Sequence, residues 1–415
     1  MVEPANDDAG SAYSPLDPTS FPDPSPKGKV VKGTIENVEH LLRETGIIAT
    51  FDEVKKEVSL RRNGKKVSMS AVFSEANRYG LSSSALHWFV GDIARENRVN
   101  PVRDWIRAKP WDGIDRLPAI KATLTCSPGY PQDFSGMLLE RWFRSCVAAV
   151  TVPNFHTRGV LTLLGDQGLG KTTWFQSLVS NPELQAEYIK LDHFLDPHNK
   201  DSILGAIKHW IVELGELDGM MRKDVVRVKG VLTRDCDKIR PPYAREEQEF
   251  RRTTVFGASV NRTDFLNDPT GNSRFWVVEV DAVNYTHDID MQQLFAQVDR
   301  DVQAGKTWWL NPEEEATLAA QNRKYRATTP IAERLAETFD LTNSNGENGK
   351  FFSASGALRE AGIANPTTSQ ARDAGSLLRE LCGPSRRRRG VDGWLLVAAD
   401  APTPGLPKLN PEDEY

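Results

Sequence analysis

The stretch Val160-Leu-Thr-Leu-Leu-Gly-Asp-Gln-Gly-Leu-Gly-Lys-Thr-Thr173 decides the fold, because an unbroken strand-like run feeds directly into Gly165-xxxx-Gly170-Lys171-Thr172. A strand followed by this spacing is the P-loop pattern. Its glycines let the backbone curl, so that the N–H groups across Gly165, Asp166, Gln167, Gly168, Leu169 and Gly170 face the β-phosphate of a nucleoside triphosphate. Lys171 then reaches the β/γ oxygens, Thr172 holds Mg²⁺, and Thr173 continues the loop into a helix. That helix opens at about Lys171, is carried by Trp174, Phe175, Leu178 and Val179, and adds the positive end of its dipole to the site.

With 415 residues, 39% of them hydrophobic, the chain can bury a substantial core and divides into roughly two to four domains. A net charge of −5 gives no whole-chain attraction to nucleic acid, so any such binding must come from local basic patches. Cys126, Cys146, Cys236 and Cys382 lack CxxC spacing, which argues against a zinc ribbon or disulfide framework and for single packed thiols. There is no signal peptide and no apolar run of membrane-spanning length, so a cytoplasmic protein without membrane partners is expected.

The predicted fold class is α/β: a P-loop ATPase core with a mainly parallel sheet, a small N-terminal accessory domain and a C-terminal winged-helix-like module. Residues 1–29, rich in Pro, Ser and Asp, read as a disordered arm. Residues 30–110 form the accessory domain, with helices at Ile35–Glu44, Ser70–Tyr79 and Ser83–Arg95 and a hairpin at Val58–Val67. The segment Asn100–Leu117 reads as a linker. The core, 111–335, holds strands near Val160–Leu164, Trp210–Leu214, Thr254–Ser259 and Phe275–Val280, closed by helices at Met291–Gln303 and Pro312–Arg326. The module, 350–398, has helices at Ala354–Glu360 and Thr368–Leu381 and a hairpin around a Gly390-Val-Asp-Gly393 turn. Residues 399–415 read as a disordered tail.

A triphosphatase needs an acidic element on a neighbouring strand to orient Mg²⁺ and polarise the attacking water. Trp210-Ile-Val-Glu213-Leu-Gly-Glu216 supplies it, with Glu213 assigned to the metal; which of Glu213 and Glu216 serves as base stays open. Thr253-Thr-Val-Phe-Gly-Ala-Ser-Val-Asn261 ends an apolar strand in an amide suited to the nucleophilic water or the γ-phosphate. Arg274 precedes the next strand, and spacing alone leaves it as a structural salt bridge or an arginine finger. Between the acidic and amide strands, Lys238, Arg240, Tyr243 and Arg245 surround Pro241-Pro242, either as a solvated loop or as a stiff surface for a nucleic-acid backbone with Tyr243 as a stacking face. Arg386, Arg387, Arg388 and Arg389 form a second basic run suited to phosphates. Asp192, His193, Asp196 and His198 read as a polar loop and not as a metal site.

This order of elements resembles the superfamily 3 helicases of viruses and mobile elements. Trp111-Asp-Gly-Ile-Asp-Arg-Leu117, Ile239-Arg-Pro-Pro-Tyr-Ala-Arg245 and Thr270-Gly-Asn-Ser-Arg-Phe-Trp276 more closely resemble the virulence-associated E family of phage and genomic-island proteins. The resemblance implies an AAA+ ATPase that assembles as a hexameric ring, translocates on single-stranded or forked DNA and works beside replication proteins. It implies Lys171 and Thr172 for ATP and Mg²⁺, Glu213 and Glu216 for the acidic motif, Asn261 for the sensor and Arg274 for a finger acting in trans. The acids stand three apart here, where the family's are adjacent. The N-terminal region shows no paired-acid metal site, so primer synthesis is not carried over. The alternatives are an ATP-switched DNA-binding initiator and an ATPase acting on a protein partner.

Overall fold

The computed structural model describes residues 16–23, 32–81, 83–156, 158–215, 217–239, 247–261, 265–266, 273–325, 330–341 and 349–399. In the N-terminal part, β1 (Ile47–Asp52) pairs antiparallel with β2 (Glu57–Arg62), which pairs with β3 (Lys65–Lys66), while β4 (Arg98–Val99) joins β1 in parallel. Asn63 and Gly64 turn the β2–β3 hairpin at φ of 51° and 77°, the positive pair that a tight two-residue turn demands. Helices Ile35–Glu44, Met69–Arg78 and Ser83–Glu96 bury Val38, Leu41, Val72, Leu86 and Val90 against this sheet.

Two expectations need correction in this region. The N-terminal arm is not disordered throughout: Asp17 caps a short turn at Pro18–Ser20, and Phe21, 2% exposed, packs against His40 and Tyr79. Phe21, with the partly buried Leu16 packed on the same core, outweighs the polar composition around them. Nor is Asn100–Leu117 a linker. Asn100 caps the helix Pro101–Ile106, whose Val102 and Ile106 enter the main core. Beyond it, the amides of Gln292 and Gln293 donate to the carbonyls of Ile106, Lys109 and Pro110, and Arg107 forms a bidentate pair with Asp299.

The central sheet is built from β5 (Leu124–Cys126), β6 (Val160–Leu164), β7 (Ile189–Lys190), β8 (Ile211–Leu214), β11 (Val255–Val260) and β12 (Phe275–Val283); β9 (Cys236–Ile239) and β10 (Gln248–Arg251) form a separate antiparallel hairpin. The spatial order is β5-β12-β6-β11-β8-β7, parallel throughout except for β5. Helix Gln132–Thr151 covers one face, where the Trp142 indole donates to Phe256 O at 2.9 Å and the Trp210 indole donates to Cys146 O at 2.8 Å. These bonds satisfy polar groups inside a large aromatic core and fix the strands lengthwise.

The root of the β9–β10 hairpin is tied down at the N-terminal end of β11. Arg252, fully buried, makes a bidentate pair with Asp237 at 2.7 and 2.6 Å. Phe250 stacks on Phe51 of the N-terminal sheet, and the buried Lys56 ammonium donates to Ile207 O at 2.7 Å and Thr253 Oγ1 at 3.0 Å.

The C-terminal part runs helix Pro330–Thr338, β13 (Phe339–Asp340), β14 (Lys350–Phe352), helices Ala354–Glu360 and Thr368–Cys382, β15 (Arg386–Arg388) and β16 (Val391–Ala398). β16 pairs with all three other strands around a core of Leu358, Leu378, Trp394 and Leu396. Here too a boundary shifts. The hairpin turns at Arg389-Gly390, with φ of 50° and 80°, and Val391, Asp392 and Gly393 already pair with Arg388, Arg387 and Arg386.

Candidate active site

The glycine-rich loop Gly165–Gly170 lies at the carboxyl end of β6, and the helix Lys171–Ser177 starts directly after it. Gly170 adopts φ of 82°, open to glycine at no steric cost. At Gly165 a Cβ would come within 2.3 Å of Val280 O, so that position also requires glycine. The loop is thereby pressed against β12 at Gly165, while Asp166, Gln167 and Gly168 are exposed.

Lys171, 5% exposed, donates from Nζ to Gly165 O at 2.7 Å, Asp166 O at 2.6 Å and Asn261 Oδ1 at 2.9 Å. Burial lowers its pKa, and the nearby Asp166 and Glu213 carboxylates work against that. Because β11 lies between β6 and β8, the strand that ends in Asn261 separates the P-loop strand from the acidic strand by one sheet spacing on each side, about 4.8 Å. Glu213 is fully buried on β8; its Oε1 lies 3.4 Å from Thr172 Oγ1, and its Oε2 accepts from Asp192 N–H at 2.7 Å. Burial raises its carboxyl pKa, while hydrogen bonds from Asp192 N–H, Ser259 and Thr172 pull it back down.

The donor set suits Mg²⁺. Thr172 and Glu213 offer hard oxygens side by side, few enough to leave coordination positions for phosphate and water. Among the described residues no separate group of three or more His, Cys, Asp or Glu side chains could hold a metal. Asp192, His193, Asp196 and His198 form no such cluster: His193 Nε2 lies 3.0 Å from Ser202 O.

Two participants went unnoticed in the sequence. Ser259, with its Oγ 3.4 Å from Thr172 Oγ1, stands two residues before Asn261, and the two-residue repeat of a strand puts both on one face. That alternation was the available signal. Asp192 enters through its backbone N–H at φ of 50°, which no residue pattern announces.

Other expected residues lie elsewhere. Arg274 immediately precedes β12, and its carbonyl accepts from Val160 N–H at 2.7 Å. It therefore stands at the end of the sheet where β6 begins, one strand length (about 16 Å) from the P-loop. Its buried Nε has no hydrogen-bond partner among the described residues. Lys238 is exposed on β9, and Arg386, Arg387 and Arg388 are exposed on β15 with Arg389 in the turn. Glu216, Arg240, Tyr243 and Arg245 lie outside the described residues. Cys126, Cys146 and Cys236 are free thiols, Cys382 is buried with its Sγ 3.8 Å from Leu341 O, and among the described residues no helix is long and apolar enough to cross a membrane.

No curated protein matches the chain. Among solved structures, three of the apo C-terminal region of NrS-1 are similar, at 14%, 12% and 13% identity with TM-scores of 0.40, 0.43 and 0.41. Each alignment covers 87% of this chain, and 98% or 99% of the other. The model of the virulence-associated protein E-like domain matches residues 106–327, just over half of the sequence, from the end of the Asn100-capped helix through the parallel sheet to the helices behind it. The chain belongs to the virulence-associated protein E-like family.

Proposed function

We propose that the protein is an ATP-hydrolysing DNA helicase, a replication ATPase of a phage or mobile element with an AAA+-like core that works as a homo-oligomeric, hexameric ring on single-stranded or forked DNA. One observation carries the catalytic part: Lys171, Thr172, Glu213 and Asn261 converge at one end of three adjacent parallel strands. Lys171 neutralises the β/γ oxygens, Thr172 and Glu213 hold the metal, and Asn261 orients the γ-phosphate or the attacking water. Mg²⁺, when bound, neutralises charge developing on the transferred phosphoryl group. A buried Glu213 with a raised pKa is also suited to take a proton from water, a role it shares with Glu216 as candidate.

The position of Arg274 supports the ring. It stands too far from its own Gly165–Gly170 loop to act there, so any phosphate it serves belongs to a neighbouring copy. Lys238 on β9, together with Arg240, Tyr243 and Arg245 that follow it in the sequence, then supplies the DNA contacts, next to the Arg252–Asp237 pair that anchors β9.

A second reading, an ATP-switched DNA-binding initiator without unwinding activity, is favoured by the exposed arginines of β15, whose surrounding helices and hairpin fit a winged-helix module. ATPase rates with and without single-stranded DNA, together with a strand-displacement assay, decide between them. DNA-stimulated hydrolysis with displacement is expected. Hydrolysis no faster than that of Lys171→Ala would end the ATPase reading, and stimulated hydrolysis without displacement would favour the initiator.

A further inference from the structure

The loop after β12 stands on the flank of the P-loop opposite the catalytic residues. In the order β12-β6-β11-β8, Asn261 and Glu213 lie on one side of β6, and residues 284–290 emerge on the other. A triphosphate with its γ end toward Asn261 and Glu213 and its β-phosphate in the loop must send its nucleoside toward this second flank.

Tyr285 stands there. A Cβ on Gly170 would fall 2.2 Å from Tyr285 Cδ1 and 2.3 Å from Cε1, so the ring lies directly against the last glycine of the P-loop. It nevertheless stays 41% exposed, which leaves ring surface free. The segment is not slack. Asn284 N–H donates to Thr123 O at 2.8 Å, and Thr123 Oγ1 in turn accepts from the Trp174 indole at 2.8 Å. Thr286 N–H donates to Asn284 Oδ1 at 3.2 Å, and His287 Nε2 lies 3.1 Å from Ser177 Oγ at the end of the P-loop helix. The segment thus follows the helix from Gly170 to Ser177, along the face that carries the exposed Thr173.

We propose that Tyr285 is the platform on which the base or ribose of the bound nucleotide packs. This rests on the ATPase reading for the identity of the ligand and adds the nucleoside half of the site. An aromatic face gives stacking without reading a base edge, and a ring held against the loop loses little freedom on binding.

The test uses the full chain and compares ATP with inorganic tripolyphosphate, which has no base. Tyr285→Ala is expected to raise KM for ATP about ten-fold, equivalent to ~1.4 kcal/mol. Inhibition by tripolyphosphate should be unchanged, and Tyr285→Phe should restore the wild-type KM. In a Tyr285→Trp variant, ATP should quench the new indole's emission where tripolyphosphate does not. An equal loss of tripolyphosphate affinity in Tyr285→Ala would show that the ring only props the loop, and an unchanged KM would show that the nucleoside lies elsewhere; either overturns the proposal. Base-dependent quenching without hydrolysis by the wild type would uphold the platform while ending the ATPase reading, so the two fail separately.

Discussion

Asn261 Oδ1 accepts a hydrogen bond from Lys171 Nζ at 2.9 Å, which joins the end of β11 to the P-loop across one sheet spacing. If the proposed ATPase reading holds, the two residues act as coupled parts of one phosphate site. Lys171→Ala should abolish hydrolysis, and Asn261→Ala should lower kcat on the order of 100-fold. Because each is the other's hydrogen-bond partner, the double variant should lose little more ATP affinity than Lys171→Ala alone, as a binding cycle over the four proteins would show. Strictly additive losses would mean that the hydrogen bond has no part in ATP binding.

Glu213 is buried beside Thr172, with its pKa raised chiefly by desolvation. A metal requires the deprotonated form. Mg²⁺-dependent nucleotide binding should therefore weaken as pH falls, starting above the ordinary carboxylate range because the shift is upward. Glu213→Gln, the neutral mimic of the protonated form, should show that weakened Mg²⁺-dependent binding already at neutral pH and hydrolyse ATP at least ~100-fold more slowly. Titration of a fluorescent ATP analogue at several pH values, with EDTA as the metal-free reference, reads both effects.

Arg274 and Lys171 occupy opposite ends of the β6–β12 pair. If Arg274 serves a neighbour, Arg274→Ala should cost about 10³-fold in turnover while leaving nucleotide binding intact. Mixing it with Lys171→Ala subunits should restore part of the activity, because some interfaces then pair an intact loop with an intact arginine. Normal hydrolysis by Arg274→Ala would rule out the action in trans.

Strong local patterns named the candidate residues that the fold brings together, while the elements that support them were hidden. Val160–Thr173 combines an apolar run with fixed glycine spacing, Glu213 stands one residue before the end of β8 and Asn261 directly follows β11, so their placement follows from residue type and order. β7 spans Ile189–Lys190 alone, too short to show any period. The Asn100–Leu117 segment shows proline and mixed polarity, yet it is held by side-chain amides some 180 residues away, such as Gln293 on Asp112 N–H, which no local pattern can encode. The Gly390–Gly393 segment offered two glycines for a turn, and pairing of Asp392 with Arg387 decided for the earlier one.

Lys56 is buried beneath the β9–β10 hairpin, and desolvation pushes its pKa down to about 7. Between that value and the ordinary 10.5 the unfolded chain holds a proton that the folded chain does not, so stability should rise with pH across this window. The slope can reach ~1.4 kcal/mol per pH unit. Urea unfolding at pH 7, 8 and 9 should show this rise in the wild type and a flatter profile in Lys56→Met. Parallel slopes in the two proteins would show that Lys56 keeps its proton inside the fold.

The arginines of β15 project from a hairpin whose inner side is closed by Trp394, 3% exposed and bonded through its indole to Gly383 O at 2.9 Å. Replacing Arg386, Arg387 and Arg388 with alanine should therefore leave the fold intact, since all three are exposed. If they neutralise phosphates, each lost contact should reduce the salt dependence of DNA binding by ~0.7 to 0.9 in the log–log slope. Binding isotherms from low to moderate salt measure this directly. A slope identical to the wild type's would remove the hairpin from the DNA interface and leave the β9–β10 loop as its basic surface.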